Sequence, residues 1–434
     1  MQQQSEARSL QPNLLSKYTS VFVVLPLLSN VFPYLITMAQ AATEQDERRT
    51  LIILFLILKR VYLYCMAISI VDLAALRSVD LPSSLGSRLK LLNDEILQSV
   101  GTANISKTFN DGEVAKQAYA KLDNVSGVSI AFFLPAFLAF SLFSSFFLFG
   151  STLSNMDTSS SLLSSEVLQS LKRSLNVLPV LSGAGNFAVC TLFFQVEVRN
   201  FLSWLGVQAK DNEDGQKTSV SNQIPLLLST AGVLFAFLAP SSVAWPMRNA
   251  INSCIAITAA RSVQLASLPV TVAALGGLVA YDLFGVYGSS FLVPPASAAE
   301  PAASVMESVA RAKLSGSSWQ PGLLEVVIDG KPTDALGLAD AVFPAMLTGW
   351  AARFDKDKTK ESETTSPGEG QVDVQEKSNW YLQASLGGYS VGCFLCEAFN
   401  SGAGQPALLF LVPSTFLSIL VAATLKSELG KIWK

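Results

Sequence analysis

Residues 334–355 read "DALGLADAVFPAMLTGWAARFD", an apolar, small-residue run long enough to cross a bilayer, with one carboxylate, Asp340, near its start. The rest of the chain decides whether such a run is a soluble core helix or a membrane helix. Half of the 434 residues are apolar, only 15% are charged, and the mean hydropathy is positive. That balance lies outside ordinary soluble domains and fits a chain dissolved in lipid. The sequence therefore reads as an all-α polytopic membrane protein, and Asp340 as an acid held inside it.

A helix crossing the hydrocarbon needs about 20 mostly apolar residues. Segments 19–41, 51–76, 128–151, 178–201, 224–244, 247–266, 267–293, 335–353, 380–400 and 406–425 approach that length, which predicts a bundle of nine or ten transmembrane helices. The second carries Lys59 and Arg60 near its middle. The sixth, "PMRNAINSCIAITAARSV", is polar enough to insert only with help from its neighbours. The polar N-terminal stretch has no short apolar core leading to a small-residue cleavage site, so a removable signal peptide is not expected.

Lys and Arg in short loops stay with the cytoplasm. With "RFDKDKTKESETTS" inside, alternation also places inside the loops 77–127 and 202–223 and the tail 426–434, which together are richer in Lys and Arg than the opposite set. A cytoplasmic C-terminus follows. The sequons at Asn104 and Asn124 would then face the cytoplasm and stay unmodified.

Several chemistries are excluded or disfavoured. The chain has no histidine, which removes Ser-His and Cys-His catalysis. Cys393 and Cys396 form a CxxC, but with no second pair and no histidine they read as packing residues rather than metal ligands. No phosphate loop, nucleotide fingerprint or basic nucleic-acid patch is present, so neither a cofactor, a metal nor a nucleic-acid partner is expected. Residues 152–174 are serine-rich, residues 355–379 charged with Gly and Pro, and "LLEVVIDGK" (323–331) reads as a short strand ending in an Asp-Gly turn.

Acids inside spans are rare, because an aspartate at the bilayer centre costs about 2.5 to 3.5 kcal/mol on insertion scales. Asp72, Glu197 and Glu397 lie toward the ends of their segments, where snorkelling or local pairing with residues such as Arg77 or Arg199 accounts for them. Asp282, in "LGGLVAYDLFGVYGSSFLV", and Asp340 differ: each sits in a small-residue setting on one of two consecutive spans. Two facing carboxylates share one proton, so one can act as base on a water and the other as acid toward a carbonyl. The same acids would equally serve a cation or proton pathway.

Three stretches weigh in favour of the first use: "YDLFGVYGSS" (281–290), "LGLADAVFPAMLTGWAARFD" (336–355) and "QPALLFLVPSTF" (405–416). In order and spacing they resemble the YD, GxGD and QPAL motifs of the signal peptide peptidase family, the presenilin-related intramembrane aspartyl proteases. The resemblance implies that Asp282 and Asp340 are the catalytic pair. It also implies that Tyr281, Gly337, Leu338, Ala339, Gln405, Pro406, Ala407 and Leu408 shape the site or position substrate. It further implies activity without partner subunits on type II membrane segments or signal peptides within the bilayer, in the endoplasmic reticulum or another endomembrane, and leaves room for a homo-oligomer. The match covers residues 224–425, a catalytic membrane domain. Residues 1–223 are poorly matched, and 426–434 form a short cytoplasmic tail. Alanine at 339, where the family has glycine, is expected to stiffen the backbone or narrow the approach of the Asp282 helix. A catalytically weakened homologue that binds membrane proteins is the alternative it leaves, beside the ion or proton pathway.

Overall fold

A computed structural model of the chain describes Lys17 and residues 24–29, 31–42, 45–79, 81–82, 85–99, 115–118, 165–204, 219–265, 267–288, 319–365, 379–399 and 405–433. In chain order the helices are α1 (Leu25–Leu28), α2 (Val31–Ala41), α3 (Gln45–Ser78), α4 (Leu85–Ser99), α5 (Ser165–Trp204), α6 (Ser219–Leu238), α7 (Ser241–Ser262) and α8 (Leu268–Leu283), which ends in a π turn, Phe284–Gly288. Strands β1 (Leu323–Ile328) and β2 (Lys331–Gly337) follow, then α9 (Ala339–Thr365), α10 (Trp380–Ala398), α11 (Leu408–Leu425) and the short α12 (Leu429–Ile432).

Among the described residues three helices are long and apolar enough to cross a membrane, α3, α8 with its π turn, and α11; α2 and the apolar part of α6 are shorter. The expected span at 128–151 and both sequons lie outside the described residues. The all-α expectation needs one correction, since an antiparallel hairpin stands between α8 and α9.

Helix α3 organises the bundle, packing on α2, α7, α9 and α10. Its first half turns Ile52, Ile53, Leu54 and Ile57 outward, whereas Met66, Ala67, Ile70, Val71, Leu73 and Ala74 have no exposed surface. Its charges find partners on distant elements. Lys59 and Arg60 meet Asp334 of β2, and Arg60 also meets Glu397 at the end of α10. The acids read as snorkelling or locally paired are held the same way: Asp72 by Lys17, Glu197 by Arg77 of α3, and Glu397 by Arg60.

The polar stretch of the sixth predicted span is explained by the hairpin. Asn249 of α7 donates to Glu325 O at 2.7 Å and accepts from Glu325 N–H at 2.9 Å. Asn252 does the same with Leu323 O at 2.6 Å and Gly322 N–H at 3.1 Å. Two side-chain amides thus stand where a third strand would pair, satisfying Gly322 N–H, Leu323 O and both backbone groups of Glu325 on the outer edge of β1. Arg248 is 3.7 Å from Glu325 and donates to Ala236 O at 2.9 Å.

The hairpin turn uses Asp329 and Gly330, both at positive φ (50° and 76°), as a type I′ turn requires. The strand and its Asp-Gly turn are therefore where the sequence placed them. The second strand is a correction: residues 335–337, expected in a span, are extended, and the helix begins at Ala339. "KPTDALG" lacks the alternating pattern that signals a strand. It pairs with β1 through an irregular register at Val326/Val327.

Helices α10 and α11 approach closely because Gly388 and Gly392 stand one turn apart on α10. A methyl at Gly388 would overlap Ser418, and one at Gly392 would overlap Ser414. Leu324, Val326 and Val327 of β1 join the apolar core formed by α3, α7, α8, α9, α10 and α11.

Candidate active site

Pro269 in the first turn of α8 is compatible with a helix start, and the apolar run that follows carries the helix to Asp282 in its last turn. Asp282 is 7% exposed. Its Oδ2 accepts the backbone N–H of Leu408 at 3.0 Å. Leu408 opens α11, where the first N–H groups have no partner within the helix. Pro406 has no N–H to offer, so the "QPAL" segment presents the N–H of Leu408 to the acid. A carboxylate at a helix N-terminus is favoured by the helix dipole. Pro406 and Leu408 are buried, Gln405 and Ala407 half-buried. The Gln405 Nε2 atom is buried with no hydrogen-bond partner among the described residues.

Asp340 reaches the same place from β2. The N–H of Leu338 donates to Gly322 O at 3.1 Å, and its carbonyl accepts from Ala341 and Val342, at 3.1 and 2.9 Å, which starts α9. Asp340 therefore lies in the first turn of α9, again at a helix N-terminus. Its carboxylate lies beside Gly337 and within electrostatic reach of Asp282. A methyl built on Gly337 would sit 3.2 Å from Asp340 Oδ2. Tyr389 of α10, fully buried, donates its hydroxyl to the Asp340 carbonyl at 3.1 Å. Tyr281 is half-buried on α8 beside Asp282, and Ala339 is exposed. The Ala339 methyl is thus not packed between α8 and α9, contrary to the narrowing expected from the sequence.

All ten residues singled out from the sequence belong to one locality built by α8, the β2–α9 junction and the start of α11. Tyr389 was missed; it had no motif around it beyond the small-residue run "GGYSVG". The roles of Arg353, Phe354 and Asp355 were missed too, although "RFD" was visible. Arg353 donates to Leu265 O at 2.7 Å in the α7–α8 link. Phe354 stacks on Trp350 and meets Tyr381 edge-on. Asp355 accepts the N–H groups of Tyr381 and Leu382, at 3.2 and 2.9 Å, and so caps α10. The far part of α9 therefore fixes both the helix before it and the helix after it. Gln264 adds a further tie, its Nε2 donating to Ala260 O at 2.9 Å and Ala345 O at 3.1 Å. Among the described residues no group of three or more His, Cys, Asp or Glu side chains could hold a metal ion. Cys393 and Cys396 are free thiols, the latter 3.6 Å from Ala407 O.

Comparison with known proteins bears on the family. The family model described as signal peptide peptidase matches residues 48–434, so the likeness extends back into α3, well before the motif-bearing part. Signal peptide peptidase-like 3 of Oryza sativa subsp. japonica is 28% identical over 209 residues, 46% of this chain and 35% of the relative. Signal peptide peptidase-like 2A of Mus musculus is 27% identical over 220 residues, 48% of this chain and 38% of the relative. Intramembrane protease 2 of Caenorhabditis elegans is 25% identical over 191 residues, 44% of this chain and 38% of the relative. The matched stretch spans little more than a third of each of these relatives. No solved structure matches. With three motif stretches meeting at one pair of acids and a family match over most of its length, the chain belongs to the signal peptide peptidase family.

Proposed function

We propose that this protein is an intramembrane-cleaving aspartic endopeptidase whose catalytic pair is Asp282 and Asp340. The observation that carries the reading is the 3.0 Å bond from the Leu408 N–H to Asp282, which fastens the third motif onto the acid of the first. Asp340 stands within reach of that acid.

The chemistry follows from the pair. Like charges at close range cannot both ionise, so the two carboxyls hold one proton between them. The ionised member takes a proton from a water, which attacks the peptide carbonyl; the protonated member donates to the carbonyl oxygen. The resulting tetrahedral intermediate collapses when a proton passes to the departing nitrogen, leaving a new carboxyl and a new amine. A helical substrate keeps its peptide groups internally bonded, so it must unwind before attack. Substrates are transmembrane segments, signal peptides or type II membrane proteins, presented from the bilayer of an endomembrane such as the endoplasmic reticulum, with the enzyme's C-terminus in the cytoplasm. The exposure of Ala339 gives no support to a homologue disarmed by its motif departure.

The test is cleavage of a type II reporter helix by purified protein in detergent. Wild type is expected to cleave it, and Asp282→Asn and Asp340→Asn to abolish cleavage while binding the reporter. Cleavage that survives either substitution, or wild-type silence toward every reporter, overturns the assignment.

A further inference from the structure

The chemistry above uses none of the charged side chains that meet between α3, β2 and α10. Lys59 Nζ is 3.5 Å from Asp334 Oδ2 and donates to Thr333 O at 3.3 Å. Arg60 pairs through Nε with the same Asp334 oxygen, and its Nη1 is 3.4 Å from Glu397 Oε2. Tyr64, on the same face of α3 as Arg60, donates its hydroxyl to that Glu397 oxygen at 3.4 Å.

The placement of the two acids gives this cluster its interest. Asp334 stands on β2, the strand that runs directly into Leu338 and Asp340. Glu397 stands in the last turn of α10, ahead of the Gln405–Leu408 segment that holds Asp282. One guanidinium therefore touches β2, the strand that delivers Asp340, and α10, the helix that precedes the segment whose Leu408 N–H bonds Asp282. A planar guanidinium with five donors can bridge two carboxylates on different elements, which a single ammonium does poorly. Asp334 is the buried member, 6% exposed, and Lys59 stands beside it as a second cation, whereas the Arg60–Glu397 contact joins two part-exposed side chains and is the weaker of the two.

We propose that Arg60, assisted by Lys59, is a positioning residue for peptide-bond cleavage: by holding Asp334 and Glu397 it fixes the register of Asp340 against the Asp282–Leu408 half of the site. This rests on the proteolytic reading above. The Arg60 and Glu397 side chains are 33% and 42% exposed, so the pair sits at the margin of the bundle and not in its packed core. Replacing Arg60 with glutamine leaves no large buried hole, and the damage falls on geometry before it falls on folding.

The experiment compares wild type, Arg60→Gln and Arg60→Lys for kcat, KM and the positions of the cut bonds. Hydrogen exchange of the amides in 331–337 and thermal stability are followed in parallel. Arg60→Gln is expected to lower kcat on the order of a hundredfold, as small misplacements of catalytic groups do. It is also expected to move the cut position, to leave KM and the melting temperature close to wild type, and to speed exchange in β2. Arg60→Lys, which keeps the charge but not the bridge, is expected to fall between the two. Unchanged kcat and cut positions in Arg60→Gln overturn the proposal, as does a loss explained by the fraction of unfolded protein. If wild type cleaves no reporter, the proteolytic reading fails and the exchange measurement decides alone. Faster exchange in β2 then upholds the anchor, and unaltered exchange overturns it.

Discussion

Leu408 and Asp282 are joined across two helices by a 3.0 Å bond in which the first free N–H of α11 is donated to the carboxylate near the end of α8. The acid is therefore both a proposed catalytic group and a helix cap, and these roles separate under mutation. Asparagine keeps an oxygen for the N–H and loses the charge, whereas alanine loses both. Both substitutions are expected to abolish cleavage. Only Asp282→Ala is expected to destabilise the protein, by about 1 kcal/mol, the usual cost of a lost cap, read as a lower melting temperature in detergent.

The two small residues before Asp340 differ in what they meet. A methyl at Gly337 would press on the Asp340 carboxylate, while Ala339 is exposed. Gly337→Ala is expected to lower kcat at least tenfold, since it turns the acid itself. Ala339→Gly is expected to change kcat by less than about threefold, a few tenths of a kcal/mol on the barrier scale. A large gain from Ala339→Gly in the reporter assay would restore the idea of a weakened homologue.

The side-chain amides on α7 hold the edge of β1, so their loss leaves backbone groups without partners in a buried setting. Asn249→Leu and Asn252→Leu are each expected to cost about 1 to 3 kcal/mol. Amide exchange in Leu323–Ile328 is expected to accelerate while that of α11 does not.

Lys358 and Glu428 form a 2.6 Å ion pair, with the Tyr381 hydroxyl on the same carboxylate at 2.8 Å. Partial burial pushes Glu428 up, but the donors of Lys358 and Tyr381 outweigh it and hold its carboxyl below the ordinary range. A depressed carboxyl contributes stability above its unfolded value and loses it as pH falls through the folded one. Wild type is thus expected to melt higher than Lys358→Met at neutral pH. The gap should close once the pH drops below the usual glutamate range.

The membrane class could be read from the sequence because composition carries it, and Asp282 and Asp340 stood out because acids inside spans are rare, while the three motifs were visible through a family resemblance. Asn249 and Asn252 could not be understood that way. Two buried amides in a predicted span look like a defect until β1, far along the chain, supplies the edge they bind. β2 was hidden for a related reason: its residues are held by β1, by Lys59 and by Arg60, and not by any local preference. Tyr389 escaped because a buried tyrosine in a small-residue helix has an ordinary packing explanation. Its bond to the Asp340 carbonyl belongs to the tertiary structure alone.

The pairing of Lys59 with β2 also sets a condition on how the protein is made. Lys59 and Thr333 are 274 residues apart. At 5 to 20 residues per second, roughly a quarter-minute to a minute of synthesis separates the arrival of the cations from the arrival of their partners. Through that interval Lys59 and Arg60 lack the partners they have in the folded protein, which disfavours their burial in the middle of a span. Among the described residues α3 is the first long helix, and its charge pairing is completed only after most of the chain has been made.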